Sequence, residues 1–210
     1  MKEELKKAFL NFPSYPEKFG LELTKPKDRF KWFLASMLFA KRISSKIAEK
    51  TFMKLIEAGL TTPKKILEAG WDKLVEILDS GGYVRYDYST ATNILETAKL
   101  LINRYNGSLE KLYEEAKDFK ELEDRLKEFK GIGPTAVNIF LRELKDIWVK
   151  AKPKPSIIAI EAGKRLKLNK NEIEKFEGKL VRLNLDFCKK GGCKECLFKN
   201  FCKTFIKKLI

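Results

Sequence analysis

Cys188, Cys193, Cys196 and Cys202 carry the most specific chemistry in the chain. They are spaced Cys-x4-Cys-x2-Cys-x5-Cys. Core packing does not gather four thiols into so short a stretch. Disulfides are open to such a set, but nothing in the sequence marks secretion. With no histidine in the chain, the metal options are an all-cysteine zinc site or an iron–sulfur cluster, since four thiolates suit both. Zinc knuckles place two tight Cys-x2-Cys pairs at opposite ends of a longer loop. Here one tight pair, Cys193 and Cys196, is flanked by single cysteines, which favours a 4Fe-4S cluster over zinc. Lys189, Lys190, Lys194, Lys199 and Lys203 surround the thiols. They offset the negative charge of a thiolate cluster or reach phosphates; ordinary solvated lysines are the plainer account of some of them.

A second stretch with chemical meaning runs from Leu126 to Phe140 and contains Lys130-Gly131-Ile132-Gly133-Pro134-Thr135. It predicts the end of one helix, a tight turn and the start of another. Gly131 and Gly133 tolerate left-handed backbone angles. Pro134 suits the first position of a new helix, where an N–H is not needed. A turn of this kind leaves backbone N–H groups unpaired at a helix N-terminus, which together with the helix dipole favour an anion. The alternative is a plain helical hairpin whose glycines serve geometry alone.

The wider composition narrows the choice. The 210 residues carry 44 Lys+Arg against 29 Asp+Glu, a formal charge of +15. This excess points to a polyanion, DNA or RNA, as partner. The longest largely apolar run, Trp32 to Ala40, is too short to span a bilayer. Met1-Lys2-Glu3-Glu4-Leu5 is charged and amphipathic rather than signal-like, so a cytoplasmic protein with no membrane partner is expected. Without histidine, any catalysis falls to carboxylates, Lys, Tyr or Cys.

The elements that must position these groups are all helical. Residues 1–12 predict an amphipathic helix with Leu5, Phe9 and Leu10 on one face. Residues 11–26, with three prolines and a glycine, predict a loop. Asp28 opens a helix to about Arg42 that is apolar on most sides and so belongs in a core. Ser44 or Ser45 caps a helix to about Ala58. Thr62-Pro63 starts a short helix, and Trp71 heads another that ends at Gly81-Gly82. Thr90 to Tyr105 is amphipathic, and Ser108 caps a short successor. Residues 119–129 lead into the hairpin, whose second helix is expected to reach about Trp148. Lys150 to Pro155 predicts a stiff basic linker, followed by helices over 157–166 and 171–184. No alternating strand pattern appears. The fold class is therefore all-α.

Together, the glycine hairpin, the helical pattern, the cysteine loop after the last helix and the positive charge resemble the endonuclease III-like iron–sulfur branch of the helix-hairpin-helix DNA glycosylase superfamily. Phe129 to Asn138 is similar to that family's hairpin signature, and Gly82-Tyr83 through Asn93-Ile94 to the segment carrying its Gly-Leu-Tyr. The resemblance covers nearly the whole chain, although the first cysteine spacing is x4 where the family usually has x6. It implies a six-helix barrel over about residues 27–148 and a second helical domain built from 1–26 and 149–210. It also implies a structural 4Fe-4S cluster and a monomer acting on double-stranded DNA with the target nucleotide flipped out. On this resemblance Lys130, Gly131, Ile132, Gly133 and Thr135 hold one phosphate, and Lys189, Lys190 and Lys194 another.

Three positions depart from the family pattern. Thr135 stands where bifunctional members carry the lysine that forms a Schiff base, so lysine-dependent strand cleavage is not expected. The aspartate with which monofunctional members activate water is missing from Ser156 to Leu166. Glu161 is the only carboxylate there, and aligning from Arg165 puts Ile160 at the catalytic position instead. Glu161 is either a replacement that orients water or an ordinary glutamate near a helix start. Lys41, followed by Arg42, occupies the place of a glutamine that fills the gap left by the flipped base, and the pair is expected to bind DNA by plugging that gap or touching a phosphate. Tyr83, Tyr86 and Tyr88 are candidates for stacking on that base, with core packing expected of at least one. The expected function is a monofunctional DNA glycosylase, or else a DNA-binding relative that has lost its chemistry.

Overall fold

The structure is a computed structural model that describes residues 2–206. The described residues are all-α, with no strand among them. In chain order the helices are α1 (Glu3–Leu10), α2 (Tyr15–Lys18), α3 (Pro26–Phe39), α4 (Ser45–Glu57), α5 (Pro63–Ser80), α6 (Asp87–Tyr105) and α7 (Leu109–Glu115). They continue as α8 (Phe119–Lys127), α9 (Pro134–Arg142), α10 (Ile157–Arg165), α11 (Lys170–Lys175), α12 (Glu177–Leu183) and α13 (Lys203–Ile206). Side-chain caps set several of the starts. The Ser44 hydroxyl accepts from Ile47 N–H at 3.2 Å, that of Thr62 from Lys65 at 3.3 Å, and the Asp118 carboxylate from Glu121 at 2.8 Å. Gly70, at φ +76° and ψ 179°, breaks α5 into two helical pieces, with Trp71 heading the second.

The chain divides into two compact units. Leu21–Pro153 form the larger. At its centre α3 is buried on nearly every side, as its composition predicts. Phe33 packs edge-on against Phe129 and Phe140, with ring centroids 5.5 and 5.0 Å apart, and the Trp32 indole N–H donates to the Phe140 carbonyl at 3.3 Å. The hairpin helices α8 and α9 are thus anchored through their apolar faces to the most buried helix of the unit. The linker is less free than its composition suggests. Lys150 donates to the Tyr113 and Ala116 carbonyls at the end of α7, and its ammonium lies over the Tyr113 ring. It serves as a C-terminal helix cap and belongs to the larger unit.

Met1–Gly20 and Lys154–Ile210 form the second unit. Phe9 stacks on Phe176 with centroids 4.4 Å apart and meets Phe198 at 4.7 Å. Phe12 packs edge-on against Phe198 at 5.4 Å. Arg182 donates to the Pro13 carbonyl at 2.7 Å and pairs with Asp186, whose other oxygen accepts from the Tyr15 hydroxyl. The N-terminal helix is therefore built into the core that carries the cysteines.

Several sequence expectations need correction. Leu10 is exposed, because the face of α1 turned to the aromatic core is that of Leu5, Ala8 and Phe9. A short helix, α2, interrupts the expected loop before Pro26. The second hairpin helix ends at Arg142, and 143–148 continue as turns bonded from Leu144 to Leu141 and from Ile147 to Leu144. The expected helix over 171–184 breaks at Phe176 into α11 and α12, then continues through Asn184–Cys188 as a widened helical turn.

Candidate nucleic-acid interface and thiol cluster

The glycine hairpin of the larger unit is formed as its residues require. Gly131 takes φ +82°. A Cβ at that position would lie 2.8 Å from Cγ of Asn93, so Asn93 of α6 occupies the space that glycine leaves. The Ile132 side chain is buried, and its N–H is used within the turn by the Phe129 carbonyl at 3.0 Å. Gly133 is the N-cap of α9 and supplies no side-chain cap. The N–H groups of Gly131, Gly133, Thr135 and Ala136 have no protein acceptor among the described residues. Lys130, Gly131, Gly133, Pro134 and Thr135 are exposed, and nothing lies within 4 Å of a Cβ placed on Gly133. An uncapped helix start beside an exposed lysine leaves donors that could hold an anion.

The two glycines make separable predictions. Gly131→Ala forces a left-handed alanine onto Asn93 and is expected to cost about 1–2 kcal/mol of stability from the backbone alone. Gly133→Ala meets no atom and keeps an ordinary φ of −101°, so stability should stay within about 0.5 kcal/mol. Its methyl group would nevertheless stand where an anion must approach. Denaturant unfolding and DNA affinity measured on both variants check this: Gly133→Ala should lose affinity at unchanged stability.

The tyrosine candidates separate by burial. Tyr83 is fully buried and its hydroxyl donates to the Leu38 carbonyl at 3.0 Å. Burial also pushes that hydroxyl well above the usual tyrosine range. Tyr83 is thus a core residue rather than a base-stacking ring, and it fastens the end of α3 to the turn before α6. Tyr86 is half-buried, with Arg85 over its ring. Tyr88 is exposed and stacks on Trp71, which sequence reasoning did not select. Lys41 is half-buried and Arg42 exposed in the turn after α3 that the Tyr83 bond steadies.

In the second unit, Cys196 is buried beside Phe198, while Cys188 and Cys202 pack against the same aromatic core. Burial, helped by the neighbouring Cys188, Cys202 and Cys193 and opposed by the Phe198 N–H that bonds its sulfur, pushes the Cys196 thiol up to about 11. Burial likewise raises Cys188, opposed by the Arg165 guanidinium that bonds it. Cys188 and Cys196 thus each lie within electrostatic reach of the other cysteine sulfurs, and their own thiolates are disfavoured unless a cation joins them. Among the described residues, no three Cys, Asp or Glu side chains are placed as a closed metal cage. The donor set, four thiols on one short stretch, fits an all-thiolate metal group by its chemistry. Lys189 and Lys194 are exposed; Lys190 is not a free cation, since it pairs with Asp186 at 3.8 Å.

Glu161 lies on the exposed face of α10, opposite the buried Ala159, Ala162 and Gly163. Its side chain has no polar partner among the described residues. Ile160, the alternative at that position, is half-buried. The start of α10 is fixed by Glu177, a buried carboxylate that accepts from the Ser156 N–H at 3.0 Å. Glu177, Asn93 and Trp71 are the site-positioning residues that sequence reasoning missed. The signals for them were an aromatic residue directly after Gly70 and the place of Asn93 in the family-like segment; none marked Glu177.

No protein-family model and no curated protein matches the chain. Among solved structures it is similar to one described as a trapped endonuclease III–DNA covalent intermediate in an estranged-adenine complex, at 19% identity over 85% of each chain, with a TM-score of 0.49.

Proposed function

We propose that the protein binds double-stranded DNA and acts in base-excision repair as a monofunctional DNA glycosylase, hydrolysing the N-glycosidic bond of a damaged or mismatched base. The observation that carries the DNA-binding part is the exposed, uncapped start of α9, with its N–H groups unspent, in a chain of net charge +15. The catalytic assignment rests on the family resemblance noted in the sequence. Thr135, exposed on the first turn of α9, offers a hydroxyl where a Schiff base would need an amine. Glu161 is the carboxylate available on α10 to orient a water and to stabilise an oxocarbenium-like sugar. Cys188, Cys193, Cys196 and Cys202 would hold a 4Fe-4S cluster, or zinc, whose role is to tie the loop rather than to react. Lys189 and Lys194 would then face phosphate.

The decisive experiment incubates the protein with duplexes carrying a panel of base lesions and then treats them with alkali. Alkali-labile sites without spontaneous strand cleavage support the glycosylase. In that case Glu161→Gln should slow the reaction by roughly two orders of magnitude, the scale of a lost acid–base group. DNA binding with no labile site on any lesion leaves the second reading, a binding protein without chemistry. The exposed and unpartnered setting of Glu161 favours that reading. Iron analysis and a broad absorbance shoulder in the visible blue distinguish a cluster from zinc.

A further inference from the structure

We propose that Trp71 and Tyr88 form a stacking site for one unpaired base of bound DNA, separate from the residues assigned above to catalysis and phosphate binding. This rests on the DNA-binding reading. Both rings are at the surface, Trp71 39% and Tyr88 63% exposed, although large aromatic side chains carry most of their stabilising value when buried. They are held as a pair, with centroids 5.5 Å apart and planes 28° from parallel. The arrangement is preorganised. The left-handed Gly70 re-aims the chain just before Trp71. The indole N–H donates to the Thr92 hydroxyl at 3.0 Å, and that hydroxyl donates in turn to the Tyr88 carbonyl at 2.9 Å. The polar edge of the indole is thereby satisfied within the protein, while both residues keep exposed surface.

The occupant follows from what surrounds the platform. The chain's charge of +15 selects a polyanion, and DNA is a polyanion that also brings flat aromatic groups. The platform also shares a helix with the hairpin seat. Tyr88 and Thr92 stand on α6, and so does Asn93, which fills the space beside Gly131. At about 1.5 Å rise per residue, Tyr88 and Asn93 are about 7.5 Å apart along the α6 axis. The hairpin seat and the stack are thus both carried by α6, within the larger unit. Paired bases present only their edges, so a base that stacks here must be out of the duplex.

Trp71 provides its own reporter, because the other tryptophans, Trp32 and Trp148, are buried at 0% and 3% exposure. The experiment titrates the full-length protein with three duplexes of one sequence: fully paired, with one extrahelical base, and with an abasic residue in place of that base. The expected result is quenching of tryptophan emission by the extrahelical-base duplex alone, and affinity for it about tenfold lower in Trp71→Ala and Tyr88→Ala. Trp71→Phe and Tyr88→Phe, which keep a ring, should retain most of the affinity, and circular dichroism confirms that each variant is folded. Equal affinities of the alanine variants and the parent, or equal quenching by all three duplexes, overturn the stacking site while leaving DNA binding intact. No binding of any duplex by the parent protein overturns both readings.

Discussion

Phe9→Ala is expected to destabilise the cysteine-bearing unit by about 3–5 kcal/mol, the usual cost of deleting a buried phenyl ring. Phe9 has no exposed surface and lies between Phe176 and Phe198. Its removal leaves a cavity and also forfeits two aromatic pairings of about 0.5–1.5 kcal/mol each. The loss should spread to the thiols, because Phe198 and Cys196 belong to the same buried cluster and the Phe198 N–H bonds the Cys196 sulfur. Denaturant unfolding followed by circular dichroism, with metal content measured on the same samples, checks both consequences. Phe9→Leu should lose less than half as much, since it refills most of the cavity. Leu10→Ala, at a position 69% exposed, should change stability by less than about 0.5 kcal/mol. Equal losses for Phe9→Ala and Leu10→Ala would mean that α1 is not packed on the cysteine region.

The second large effect is expected at Gly81, with Gly81→Ala costing about 3 kcal/mol in the larger unit. The obstacle is backbone. A Cβ on Gly81 would stand 2.7 Å from Cα of Thr51, a fully buried residue of α4, so no side-chain rotation relieves the overlap. The helices α4 and α5 would have to separate, opening the core around the turn that carries Tyr83. Gly82 is a useful contrast. It has φ +90°, but its Cβ would meet only Ile47 at 4.0 Å, so Gly82→Ala should cost only the backbone strain of about 1–2 kcal/mol. Thermal unfolding of the two variants orders the effects. A smaller loss at Gly81 than at Gly82 would refute the close approach of α4 and α5.

The glycine pairs show how much each kind of signal can carry. In the sequence, Gly131-x-Gly133-Pro134 and Gly81-Gly82 both read as helix ends followed by turns, and both are. Nothing local distinguishes Gly81, which is small because α4 passes against it, from Gly133, which faces open space. The three tyrosines behave alike. Their crowding is visible in the sequence. That Tyr83 faces the core and Tyr88 the surface depends on how the turn after α5 is tied to Leu38.

By itself the sequence determined the all-α class, most helix starts, the glycine hairpin with proline at the first position of α9, and the concentration of thiols and positive charge. These are local properties, set by side-chain periodicity, capping groups, allowed backbone angles and counting, and they survive without knowledge of distant neighbours. Only the tertiary structure decided that Asn93 seats Gly131, that Phe9 anchors the cysteine-bearing core, that Lys150 caps α7 instead of floating in a linker, and that Trp71 stays at the surface beside Tyr88. Each of these pairs residues far apart in the chain. Such a partner is selected by close packing and by the satisfaction of particular donors and acceptors, neither of which leaves a periodic trace in the sequence.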